Sequence, residues 1–163
     1  MKRVGLFFVV LFVGLASGCS RGGDSSHFAM EAAQGGLTEV QLGRLAAERA
    51  SAPVVRQFGQ QMVADHSKAN ADLQQIAARK SLQLPTAPKS EQQAEFDKLS
   101  QLSGADFDRE YVAYMTEDHE EDAEVFEAQA QHGNDADIKA FAAKTLPVIQ
   151  HHLQMIKDIK AKM

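Results

Sequence analysis

Three histidines, His66, His119 and His152, each stand in the middle of an apolar stripe of helical spacing. Each has a methionine one turn away on the same face: Met62 before His66, Met115 before His119, and Met155 after His152. Glu39 falls with Leu42 and Ala46 on a possible inner face of an earlier helical segment. Neutral imidazole is the commonest metal ligand in proteins, and its company selects the metal. Thioether neighbours suit copper, Cu(I) above all, whereas carboxylate neighbours suit zinc or iron. The same residues have a plainer use: histidines at the edge of a core donate hydrogen bonds to nearby carboxylates, and methionines fill core volume.

Height along the helices bears on the choice. At a rise of ~1.5 Å per residue, Glu39 and His66 both lie about 20 Å from a turn near Ala52. His119 lies about 20 Å from a turn near Gly133 and His152 about 28 Å, so His152 is expected more than a helical turn out of level. A kink at Pro147 would absorb part of that difference. His151 shares the height of His152 but points about 100° away around the helix.

The elements that carry these residues are helical nearly throughout. Ala, Gln, Glu, Lys and Leu dominate from Ser26 onward, with no alternating, β-branched stretch. Helices are expected over about His27–Ala50 with Ser26 as N-cap, from Ser51-Ala52-Pro53 to Lys80, over Glu91–Leu102, over Asp106–Gln131, and over Asp135–Lys160. Apolar positions recur at three and four, as in Val55, Phe58, Met62, His66, Ala69, Leu73 and Ile76, or Phe107, Tyr111, Met115, His119, Asp122 and Phe126. One stripe per helix and mostly short connections predict an all-α domain, an antiparallel four-helix bundle over residues 27–163. Pro147 is expected to kink the last helix or to free the carbonyl of Ala143. A weak internal repeat pairs Met62-Val-Ala-Asp-His66 with Met115-Thr-Glu-Asp-His119.

Other chemistry finds little purchase. The run Glu117-Asp-His-Glu-Glu-Asp122 reads as a solvated helix face, with a loose cation site as its minor alternative. Asp65 and Asp118 each precede a histidine and diverge from it by about 100°, so neither is expected to pair with its neighbour. Gly35-Gly36 lies mid-helix and suits a close helix approach or a kink rather than a phosphate loop. Gly-x-Ser-x-Gly, P-loop and Glu-x-x-His motifs are all missing, the last being the di-iron signature of helical bundles. No enzyme is expected.

The N-terminus carries an address. Lys2 and Arg3 precede an acid-free apolar run, Val4–Ala16, which is too short to span a bilayer and has the length of a signal-peptide core. It ends in Leu15-Ala-Ser-Gly-Cys19, which resembles the bacterial lipobox, with Ala16 where the pattern more often has Leu. Cys19 is the only cysteine, so no disulfide within the chain competes for it. Residues 1–18 are read as a leader, Cys19 as the lipidated residue, and 19–26 as a flexible tether. The membrane is then a partner through lipid alone. Ser20, by resemblance to Gram-negative lipoproteins, implies the outer membrane. Losing Lys2 and Arg3 takes the net charge from −5 to −7. An acidic domain of this kind fits neither nucleic acid nor an anionic lipid surface, and leaves an envelope protein as the possible further partner.

Phe58-Gly59, Met62, Asp65-His66, Leu84-Pro85, Phe107-Asp108, Tyr111, Met115, His119, Phe141-Ala142, Leu146-Pro147 and His152-Leu153 form an ordered series. With Gly36, Glu39 and Gly43-Arg-Leu-Ala46, it resembles the bacterial exported family known as domain of unknown function 4142. The resemblance spans about Phe28 to Lys160. It implies a ferritin-like four-helix bundle in an outer-membrane or periplasmic protein and supplies no reaction. Two functions follow as expectations: a tethered structural or interaction lipoprotein, or a periplasmic metal-binding or metal-sensing bundle.

Overall fold

The computed structural model describes residues 24–163, which are all-helical. The expected leader, 1–18, and the expected lipid site, Cys19, lie outside the described residues. Five helices follow in order: α1 (Ser25–Arg49), α2 (Pro53–Lys80), the short α3 (Ser90–Ser100), α4 (Gly104–His132) and α5 (Ala136–Lys160). None of them is long and apolar enough to cross a membrane.

Helix α1 begins two residues earlier than expected. Its cap is the Asp24 carboxylate, which accepts from the Ser26 amide at 3.0 Å, and not Ser26 itself. Ser25 is buried, and its Oγ accepts from Gln129 Nε2 at 2.7 Å and from the Asn134 and Asp135 amides at 3.1 Å each. The start of α1 is thereby tied to the turn between α4 and α5.

The turn between α1 and α2 is held from outside as well. Ser51 does not cap α2; the N-cap is Ala52, which makes no side-chain bond. The buried Asp108 of α4 instead accepts from the Ser51 amide at 2.9 Å, the Ala52 amide at 2.7 Å and the Ser51 hydroxyl. A carboxylate from a distant segment serves here because it satisfies two free helix-start amides and a hydroxyl at once. Helix α5 starts as expected, with Asp135 accepting from the Asp137 and Ile138 amides, and it runs unbroken through Pro147.

Helix α1 packs along α2, α4 along α5, and α2 against α5. The α1–α2 crossing is close because glycines face each other there. A Cβ on Gly43 would lie 2.8 Å from the Gly59 carbonyl oxygen, and one on Gly59 would lie 2.7 Å from that of Gly43. Gly36 makes room for the Asn70 side chain, which a Cβ would meet at 2.0 Å, whereas Gly35 faces open space.

Two apolar clusters result. One gathers Leu42, Phe58, Met62, Phe107, Tyr111, Met115 and Ile156 toward the α1–α2 turn; the other gathers Phe28, Leu73, Phe126, Ile138, Phe141 and Ile149 toward the α4–α5 turn. Each buried side chain of this size contributes about 1.5–3 kcal/mol by leaving water. Between the clusters, each long helix turns a polar residue inward.

Candidate metal centre

That polar layer consists of Glu39 on α1, His66 on α2, His119 on α4 and His152 on α5. Their exposures are 2%, 5%, 0% and 0%. Each occupies one register position in an otherwise apolar stripe, so the packing that buries the stripes brings the four together. One ring nitrogen from each of His66, His119 and His152 lies within 4.8 Å of the other two. His66 Nε2 and His152 Nδ1 are 3.2 Å apart. Two imidazoles on one tetrahedral zinc stand at about that separation, since Zn–N bonds measure about 2.0–2.1 Å.

The expected mismatch in height of His152 is therefore not found. Counting residues from a turn places Cα atoms, but side chains lean toward the N-terminus of their own helix. In the antiparallel pair α4–α5, the His119 side chain leans away from the connecting turn and that of His152 leans toward it. The two rings meet, with centroids 5.6 Å apart.

The outer nitrogens face carboxylates. His66 Nδ1 lies 2.6 Å from Glu39 Oε2, His152 Nε2 lies 2.9 Å from Asp65 Oδ2, and His119 Nδ1 lies 3.5 Å from Asp118 Oδ2. Asp65, a sequence neighbour of His66, reaches across to His152 instead. Asp118 does approach its own neighbour His119, contrary to expectation, though without hydrogen-bond geometry. The acidic run is also not wholly solvated. Asp118 and Asp122 are half-buried, and Asp118 Oδ2 is out of reach of water.

Burial sets the protonation of this layer. It raises the Glu39 carboxyl to about 8, with Asp118 adding to the rise and His119 opposing it. Burial also depresses His66 and His152 to about 4 each. Near neutral pH the 2.6 Å contact of Glu39 with His66 is then a hydrogen bond between neutral groups, not an ion pair. Asp65 lies below its ordinary value: hydrogen bonds from Gln61 and His152 outweigh its own desolvation. An ionised Asp65 takes the Nε2–H of His152, which leaves His152 Nδ1 to accept from His66 Nε2–H. His66 Nδ1 in turn accepts from the Glu39 hydroxyl.

His119 stands outside this chain of bonds. Both of its ring nitrogens, and Glu39 Oε1 at 3.6 Å from His119 Nε2, are buried without a hydrogen-bond partner. An unpartnered buried polar group costs about 1–3 kcal/mol, and this layer carries several. The arrangement can take up a cation: three imidazoles converge, the outer nitrogens of His66 and His152 are hydrogen-bonded to Glu39 and Asp65, and Glu39 Oε1 is free. A groove of about 100 Å³ between α2 and α5 borders Asp65 and His66 and opens one side to solvent. A void of about 10 Å³, lined by Glu39, His66, Asp122 and Thr145 among others, adjoins the layer on the other side.

The residues expected to meet, His66, His119, His152 and Glu39, are together. Met62 and Met115 are packed in the apolar cluster toward the α1–α2 turn, and Met155 lies half-buried at its edge. Asp65 was not singled out as part of a site, and Asp118 and Asp122 only within the acidic run whose minor alternative was a loose cation site. The repeat Met-x-x-Asp-His, which places an aspartate before two of the three histidines, was the available signal for the first two.

Two solved structures share the fold. A DUF305 fragment from Deinococcus radiodurans superposes with a TM-score of 0.75 at 12% identity, covering 85% of this chain and 96% of that one. A DUF305 protein from Streptomyces coelicolor gives 0.72 at 15% identity, with coverages of 85% and 93%. At these identities the likeness is one of fold alone. No curated protein matches the chain. Residues 16–159 match the model of the family described as Domain of unknown function (DUF4142), and the chain belongs to that family.

Proposed function

We propose that this protein binds a divalent transition-metal cation between His66, His119 and His152, and does so as a lipid-anchored helical bundle of the cell envelope. The observation that carries the reading is the pairing of each imidazole. One nitrogen faces a carboxylate, Glu39, Asp118 or Asp65, and the other is left for the centre. Outer carboxylates of this kind fix the tautomer and raise the basicity of a metal-bound histidine. The donors are imidazole nitrogens with a carboxylate oxygen in reach, a set suited to zinc or Cu(II) more than to Cu(I). The four long helices are read as an antiparallel bundle of ferritin-like shape, without the Glu-x-x-His pairs of di-iron proteins. Binding or sensing, not turnover, is the proposed role.

A purely structural polar layer is the competing reading. The bonds linking Glu39, His66, His152 and Asp65 favour it, because they are complete without a metal. His119 weighs against it, since a fully buried imidazole with both nitrogens unpartnered destabilises a layer that serves only to hold the fold.

Zinc titration of the metal-free protein from Ser20 onward separates the two. Metal binding gives a saturable calorimetric isotherm and a rise in melting temperature, about 2.7 kcal/mol of stabilisation at 100 times the Kd. His119→Ala abolishes both, and His66→Ala weakens both. No isotherm and no thermal shift would leave the structural role.

A further inference from the structure

We infer that the centre holds a second cation position, formed by Glu39, Asp118 and His119 and sharing His119 with the three-histidine position. The inference rests on the metal-binding reading above and extends it to a dinuclear site.

One ligand atom from each of Glu39, Asp118 and His119 lies within 4.8 Å of the other two, a grouping separate from that of the three histidines. Its donors are unpartnered: Glu39 Oε1, Asp118 Oδ2 and both nitrogens of His119 are buried with no hydrogen bond. Glu39 and His119 are almost wholly buried, with side-chain exposures of 3% and 0%. An orphaned donor of this kind signals a missing partner of opposite character, and for carboxylate oxygens that partner is a cation or a proton donor.

Charge points the same way. Asp118 and Asp122 of α4 approach Glu39 of α1 in a poorly solvated layer, and among the described residues none of the three forms an ion pair with Lys or Arg. One divalent ion among the three imidazoles does not touch Asp118. A second ion there takes Asp118 directly and meets the unpartnered oxygen of Glu39. His119 is able to serve both positions with different ring nitrogens: Nδ1, 3.5 Å from Asp118 Oδ2, for the second ion, and Nε2 for the ion among the histidines. When both nitrogens are coordinated, the ring proton leaves to solvent and the imidazole becomes a bridging anion.

Zinc stoichiometry tests this on the protein from Ser20 onward, by calorimetry and elemental analysis after desalting. The wild type is expected to hold two zinc ions per chain, Asp118→Asn one, and His66→Ala/His152→Ala one. Circular dichroism confirms that each variant folds. With Cu(II) in place of zinc, the second equivalent is expected to reduce the electron paramagnetic resonance signal by coupling through the shared ring. One zinc per wild-type chain with unchanged affinity in Asp118→Asn overturns the second position and leaves the first standing. Two zinc ions retained in Asp118→Asn also overturn it. No zinc in the wild type overturns both readings.

Discussion

His66 Nε2 lies 3.2 Å from His152 Nδ1, a contact between α2 and α5 made by residues 86 apart in the chain. In the metal-free state this contact is a hydrogen bond, so a cation that takes both nitrogens must first remove a proton from between them.

That proton has a traceable exit. If His66 binds metal through Nε2, its ring proton moves to Nδ1, and the Glu39 carboxyl that faces Nδ1 gives up its own. Zinc binding is therefore predicted to release one proton per first ion, and affinity rises about tenfold per pH unit until Glu39 ionises unaided, near 8. Isothermal titration in buffers of differing ionisation enthalpy counts the proton. The metal-free protein shows the same group in its stability. Glu39 is raised from 4.5 to about 8 on folding, so its contribution is full below 4.5 and is lost as pH rises through 8. His66 and His152, depressed from 6.5 to about 4, act in the opposite direction between those values, so chemical denaturation should find metal-free stability falling between pH 6.5 and 8. Saturating zinc, which favours the ionised carboxylate, should remove that fall.

His119 is predicted to cost stability in the absence of metal. Replacing it by leucine removes two buried unpartnered nitrogens and keeps the volume of the side chain. His119→Leu should stabilise the metal-free protein by about 1–3 kcal/mol while abolishing the zinc-induced rise in melting temperature. Urea denaturation with and without zinc reads both effects; a destabilised variant would mean that His119 has a bonding role without metal.

The glycine contact between α1 and α2 sets how closely Glu39 and His66 approach. Gly43→Ala and Gly59→Ala each drive a methyl against a backbone carbonyl and should destabilise by about 1–3 kcal/mol. Zinc affinity should weaken with them as the two helices part. Gly35→Ala meets nothing and should be neutral or stabilising by about 0.4–1 kcal/mol. Thermal melts and zinc titration of the three variants check the contrast.

Much of this was legible in the residues and some was not. Spacings of three and four locate every helix, because burying one stripe per helix is the main stabilisation available to an all-α chain. They also single out His66, His119, His152 and Glu39, polar residues in apolar stripes. The level of His152 was misjudged because counting residues follows the backbone and ignores the lean of side chains, which is opposite in antiparallel helices. Asp118 looked solvated because a helix face predicts exposure for the Cβ, whereas the carboxylate beyond it can turn back toward the core; the reach of Asp65 across to His152 on another helix is likewise beyond a count of residues. The cap at Asp108 depends on a contact between residues 56 apart, which no local pattern carries.

The envelope address rests on Cys19. Cys19→Ala is predicted to abolish incorporation of labelled palmitate and to move the protein from the membrane fraction to the soluble fraction, leaving zinc stoichiometry unchanged. A Cys19→Ala protein that stays with membranes would overturn the lipid anchor.

The central claim is that three imidazoles hold the cation, and X-ray absorption at the zinc edge of the protein from Ser20 onward, loaded with one equivalent of zinc, measures this directly. The account predicts a first shell of nitrogen and oxygen at about 2.0–2.1 Å, with outer-shell scattering from three imidazole rings. A first shell containing sulfur at about 2.3 Å, or one of oxygen alone without imidazole scattering, would contradict it.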